Sequence, residues 1–217
     1  MKKTILAGLL IATLSGCATK TVPLSDSAGS KYRGKSITYS VHKTPSFSAM
    51  TAGKATFGAL GSVAMIDKGN DIIQENGVQD PAATIGVTLA HDLATKYGLS
   101  IKQPAVIASS KKTDVIASEY STADLVVDVQ TRAWGFAYFP MDWNNYYVLY
   151  TAKLQLIDTS NGEAIATGSF AYDSKDNAVH PSYDQLINNQ AAGLKNEILK
   201  ARDQCIIEFR QRIFNAR

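Results

Sequence analysis

From Leu125 to Tyr172 apolar and polar residues alternate with a period of two, and from Ile187 to Ile213 apolar residues recur every three or four. A chain that carries both patterns must build a sheet with one apolar face and a long helix to cover it. Leu125, Val127, Val129 and Thr131 share one side of the first strand, with Asp128, Gln130 and Arg132 on the other. Tyr147 to Ile157 alternates too, placing Val148, Tyr150, Ala152, Leu154 and Leu156 on one face. Joining the apolar faces sets Val127 opposite Leu156 and Val129 opposite Leu154. The same register sets Ala133, Gly135 and Ala137 against Tyr150, Val148 and Tyr146, small against large. Asn161-Gly162 is a turn signal, and a third strand runs from Glu163 to Tyr172. Three strands in a meander need a helix across the apolar face. Ile187, Ala191, Leu194, Ile198, Ala201, Cys205, Phe209 and Ile213 form one helical stripe, opened by Ser182 and Gln185 at capping-box spacing. Cys205 lies in that stripe, which predicts a buried thiol.

The earlier part of the chain reads less regularly. Ile37, Tyr39 and Val41 predict a strand over residues 35–41. In residues 50–76, Gly53, Gly58 and Gly61 with Ala55, Ala59 and Ala64 make a small-residue surface that resembles the glycine-zipper helices of some envelope proteins. Two readings stand: a helix packed closely on the sheet, or one that inserts in a membrane or oligomerises. The uncharged run from Ala55 to Ile66 is too short to span a bilayer, which takes about 20 residues. Asp80-Pro81 opens a helix with the stripe Ile85, Leu89, Leu93 and Tyr97, stopped by Gly98. A strand near 105–108 and a short helix over 114–120 complete the order. The expected fold is α+β: a single domain over residues 31–217, mainly antiparallel, with a three-strand meander packed by a long C-terminal helix.

The first seventeen residues follow another logic. Lys2 and Lys3 precede an apolar run from Ile5 to Leu14, and Leu14-Ser15-Gly16-Cys17 follows. This leader resembles the lipobox signal peptide of bacterial lipoproteins. The resemblance implies removal of residues 1–16, lipidation of Cys17 with palmitate-type acyl chains, and a bilayer as partner. In enteric lipoproteins an Asp after the lipidated Cys marks inner-membrane retention, so by this resemblance Ala18 implies the outer membrane, with the periplasm-facing side as the expectation. Residues 17–30 read as a flexible lipidated tether. Without Lys2 and Lys3, 20 basic groups face 19 acidic ones, so no basic surplus points to nucleic acid. The element order looks similar to the small α/β domains of periplasmic lipoproteins, such as penicillin-binding-protein activators and the periplasmic part of the curli secretion channel. That likeness carries no motif and no function.

No nucleophile elbow, phosphate loop, dinucleotide fingerprint or paired-cysteine motif is present. His42, His91 and His180 stand apart at spacings unsuited to a metal. No catalytic residue, metal or cofactor is therefore expected, and His91 reads as a solvated surface residue. One region stands out. Eight of the seventeen residues from Trp134 to Tyr150 are aromatic. The register above turns Trp134, Phe136 and Tyr138 away from the core, with Phe139 and Trp143 at the hairpin tip and Tyr147 beside them. Such a cluster reads as a surface for an envelope protein or glycan partner. Against this, residues 56–75 could cover the face, or a β-bulge could exchange the two faces. The leading expectation is a membrane-tethered, non-enzymatic interaction or assembly factor. A surface-exposed lipoprotein that inserts or forms homo-oligomers comes next, and an envelope hydrolase last.

Overall fold

The computed structural model describes residues 21–55 and 58–215. Its elements are α1 (Asp26–Ser30), β1 (Ser36–Tyr39), β2 (Ser48–Met50), α2 (Ala52–Ala55), α3 (Gly58–Asn76), α4 (Ala82–Tyr97), β3 (Ser100–Ile101), α5 (Thr113–Glu119), β4 (Leu125–Phe139), β5 (Asp142–Asp158), β6 (Glu163–Asp173) and α6 (Tyr183–Arg212). The sheet runs β3-β1-β4-β5-β6, with β2 also paired to β4. The meander β4-β5-β6 is antiparallel, whereas β1, β2 and β3 join in parallel, so the sheet is mixed. The fold is the expected α+β type. The strand predicted at 105–108 forms instead at β3, and Ala108 keeps only a single bridge to His42.

Helices α4 and α6 cover the face that carries Val127, Val129, Leu154 and Leu156. The α4 stripe Ile85, Leu89, Leu93 and Tyr97 is buried, and Gly98 ends the helix at φ 67°, in the left-handed region glycine favours. The α6 stripe is buried from Ala191 to Ile213, Cys205 included, and burial pushes the Cys205 thiol up. Ser182 and Gln185 form the reciprocal capping box. The continuous helix expected from Ile187 is interrupted, however. Asn189, Gln190 and Ala191 take left-handed angles, and the next turn folds back so closely that a Cβ on Gly193 would lie 2.2 Å from the Gln185 carbonyl. Arg210 grips Asp92 with two donors at 2.7 and 3.0 Å, tying α6 to α4.

Of the small-residue surface, the side chains of Ala55, Gly58 and Ala59 lie outside the described residues. Gly53 and Ala64 are exposed and Gly61 is buried. The close approach comes at a glycine further on: a Cβ on Gly69 would meet the Phe47 carbonyl at 2.1 Å, so α3 rests on the backbone of β2. Val63 and Ile66 face solvent. Among the described residues no helix is long and apolar enough to cross a membrane. On the other face of the sheet, α5 and Tyr120 seal a second small core against Val126 and Ile157.

Cys17 and the leader lie outside the described residues. Within the span expected as a tether, residues 22–30 are folded onto the body. Val22 bridges Thr167 on β6, Leu24 is buried with its N–H on the Ile213 carbonyl at 2.7 Å, and α1 follows at once. Leu24 is a core residue, which a flexible linker has no reason to carry.

Candidate functional site

The β4–β5 hairpin decides where the aromatic cluster goes. Pairing follows the predicted register from Leu125 to Thr131, Val127 on Leu156 and Val129 on Leu154. Between Thr131 and Ala133 the register shifts, because Arg132 is an extra residue in a β-bulge. A one-residue shift exchanges the faces of everything beyond it. Trp134 therefore pairs with Tyr150, and Phe136 with Val148. Both turn inward, at 2% and 1% exposure. The Trp134 indole N–H donates to the Pro45 carbonyl at 3.1 Å, and its ring meets Phe47 edge-on at 4.9 Å. Phe136 packs against Phe47, Tyr146 and Tyr183. Tyr138 is half-buried against the same core. These three belong to the interior and its margin, which corrects the partner surface expected from alternation alone.

The rest of the cluster stays at the surface. Trp143 is 65% exposed and Met141 98%, with the Trp143 indole N–H held by the Pro140 carbonyl at 2.9 Å. Phe139 and Tyr147 are half-buried and meet edge-on, 5.2 Å between centroids. The segment after β6 returns beside them: the Tyr146 N–H donates to the Pro181 carbonyl at 2.9 Å, and the His180 ring lies 4.5 Å from Phe139. Lys175 stands 4.3 Å above the Tyr147 ring, and its hydrogen bond with Asp173 raises the ammonium pKa. Val179, 80% exposed, flanks His180. The site brings together Phe139, Trp143 and Tyr147 of the predicted set and adds Met141, Lys175, Val179 and His180. The last three could not be found from sequence, because nothing local says that residues 175–181 return to the tip.

A second constellation was not foreseen. Asp128, on the face opposite Val127 and Val129 as expected, is fully buried there. His42 Nε2 lies 2.6 Å from Asp128 Oδ1, and Ser40 Oγ donates to the same oxygen at 2.6 Å. Gln130 Nε2 donates to Oδ2 at 2.6 Å. The residue types are those of a nucleophilic triad, but the geometry is not. In a triad the histidine stands between acid and nucleophile and uses a different nitrogen for each. Here Nε2 faces both, at 2.6 Å to Asp128 and 3.2 Å to Ser40, and the Ser40 proton is given to the carboxylate. No free base is left to activate the hydroxyl. The cluster clamps the segment after β1 onto β4, and Tyr120 adds hydrogen bonds to Val41 and Val106.

Asp80 lies close by, under the start of α4. Its Oδ1 accepts from the Ala82 N–H at 3.1 Å and from the Thr131 hydroxyl. The N-cap is Pro81 and not Asp80 as expected, yet Asp80 still takes the first N–H of α4 from one position before it, and burial raises its pKa. A carboxyl whose folded pKa is raised binds more protons in the folded state, so its contribution to stability is largest below the unfolded value and is lost as pH rises through the folded one. Asp80→Asn keeps an oxygen for both donors and cannot ionise. Thermal melts should show the variant more stable than the parent at pH 7 and the difference gone near pH 3. A variant less stable at both pH values would refute the burial argument.

Among the described residues no group of three or more His, Cys, Asp or Glu side chains is placed to hold a metal ion. His91 is exposed. No family model matches the sequence, and no curated protein matches it. Solved structures do show similarity. A lipoprotein of Neisseria meningitidis, GNA1162, is 14% identical, covers 80% of this chain and 99% of its own, and has a TM-score of 0.34. Protein XCC0632 of Xanthomonas campestris is 10% identical over 86% of this chain and 89% of its own, with a TM-score of 0.40. The PelC dodecamer of Paraburkholderia phytofirmans gives 14% identity, 84% and 91% coverage, and a TM-score of 0.32. They are likenesses of fold, and none carries a function to this chain.

Proposed function

We propose that the protein is a lipid-anchored, non-enzymatic interaction factor of the bacterial envelope, attached to the outer membrane through Cys17 and binding a partner protein with the tip of the β4–β5 hairpin. The observation that carries this reading is the tip itself. Met141, Trp143 and Val179 stand exposed around Phe139 and the rings of Tyr147 and His180 packed against it. Trp and Met are enriched at the centres of protein interfaces, where a few such anchors supply most of the affinity. The order of Lys2, Lys3, the Ile5–Leu14 run and Cys17 supports the anchor.

A photocrosslinking residue at position 143, in the full chain in intact cells, should trap one or a few discrete proteins. The same residue at exposed position 199 on α6 should not trap them. Crosslinks to lipid alone, or the same products from both positions, would overturn the tip as the binding site. Mass spectrometry of the purified protein should find acyl chains on an N-terminal Cys17, and an intact unmodified leader would overturn the anchor.

A further inference from the structure

The β4 bulge exposes as well as buries. Arg132, its extra residue, is left on the surface and lines a cleft of about 610 Å³ between β4, the middle of β5 and β6, and the C-terminal end of α6. The polar lining is Arg132, Thr151, Lys153, Ser169, Glu208 and Arg212. Arg212 is neutralised by Glu208 one helical turn before it. Neither Arg132 nor Lys153 has a carboxylate partner among the described residues, and Arg132 donates to the Gln130 side-chain oxygen at 3.5 Å. The cleft therefore holds two uncompensated cations, brought together because β4 and β5 are neighbours and the bulge re-aims Arg132.

The volume is that of a small-ligand site, which typically takes about 300–1,000 Å³. Charge narrows the ligand class. A carboxylate would answer only one of the two cations, whereas a phosphate monoester carries about −1.5 to −2 at pH 7 and offers three acceptor oxygens. The forked guanidinium of Arg132 and the ammonium of Lys153 suit those oxygens. Ser169 supplies a hydroxyl, and the exposed Ala171 adds a small apolar surface for the carbon part of a ligand. We propose that this cleft binds a phosphate monoester, on a lipid headgroup or on a soluble sugar phosphate. The site is separate from the hairpin tip and stands or falls independently of it.

The test uses the full chain carrying Cys17→Ser, which cannot be acylated, titrated calorimetrically with glucose 6-phosphate at low salt. Saturable binding is expected, with glucose inert. Arg132→Ala and Lys153→Ala should each raise Kd at least tenfold without moving the melting temperature. Vesicles of phosphatidic acid in phosphatidylcholine separate the two sources: release of glucose 6-phosphate assigns the site to a lipid headgroup, and retention assigns it to the soluble ester. No saturable binding, equal binding of glucose, or unchanged affinity in the Arg132→Ala, Lys153→Ala double variant overturns the proposal.

Discussion

Trp134→Ala should cost about 3–5 kcal/mol of folding stability, the usual range for removing a fully buried large aromatic, whereas Trp143→Ala should change stability by no more than about 0.5 kcal/mol. The two tryptophans are nine positions apart on one hairpin and differ in everything that matters energetically. Trp134 fills the space between β4 and the segment before β2, with its indole N–H on the Pro45 carbonyl and its ring on Phe47. Its loss opens a cavity and leaves that carbonyl without its donor. Trp143 has solvent on most of its surface. Urea unfolding of both variants decides the matter. Equal effects would mean that the bulge is misplaced and that Trp134 faces outward after all.

The second large effect belongs to Asp128. Asp128→Ala should destabilise the fold by about 3–5 kcal/mol, the cost of removing one member of a buried, hydrogen-bonded charged cluster. Ser40, His42 and Gln130 would all lose the acceptor on which they converge. His42→Ala should cost less, because Asp128 keeps Ser40 and Gln130. A denaturation series that ranks His42→Ala above Asp128→Ala would show that the carboxylate is not the centre of the clamp.

Much of this architecture could be read from local pattern, and the exceptions have definite causes. Period-two alternation located β4, β5 and β6 and set the register up to Thr131, because an alternating face has only one way to meet the core. The α6 stripe and the Ser182–Gln185 box were equally local. The pattern ended at Arg132. A bulge inserts one residue without any composition signal, so the faces of Trp134 and Phe136 were exchanged in the reading while their pairing partners moved by only one place. Asp128 sits on the face that alternation gave it, but that face is covered as well. Alternation tells which residues share a face, and only the rest of the fold tells whether a face is covered. The warning was the charge itself, set between Val127 and Val129 in a strand covered on both sides. The Ser40–His42–Asp128 cluster joins residues 86 and 88 positions apart, which no spacing rule reaches. The left-handed turn at Asn189–Ala191 carries no glycine at those positions to announce it.

The bridge between Val22 and Thr167 fixes where the chain enters the folded body. Thr167 sits beside Gln155, twelve positions along β5 from Trp143, or about 40 Å of strand at roughly 3.3 Å per residue. Between positions 17 and 22 the covalent chain reaches at most about 18 Å. Where Cys17 is acylated, the greatest distance at which the hairpin tip can stand from the lipid is then set more by the length of the strands than by that of the leash.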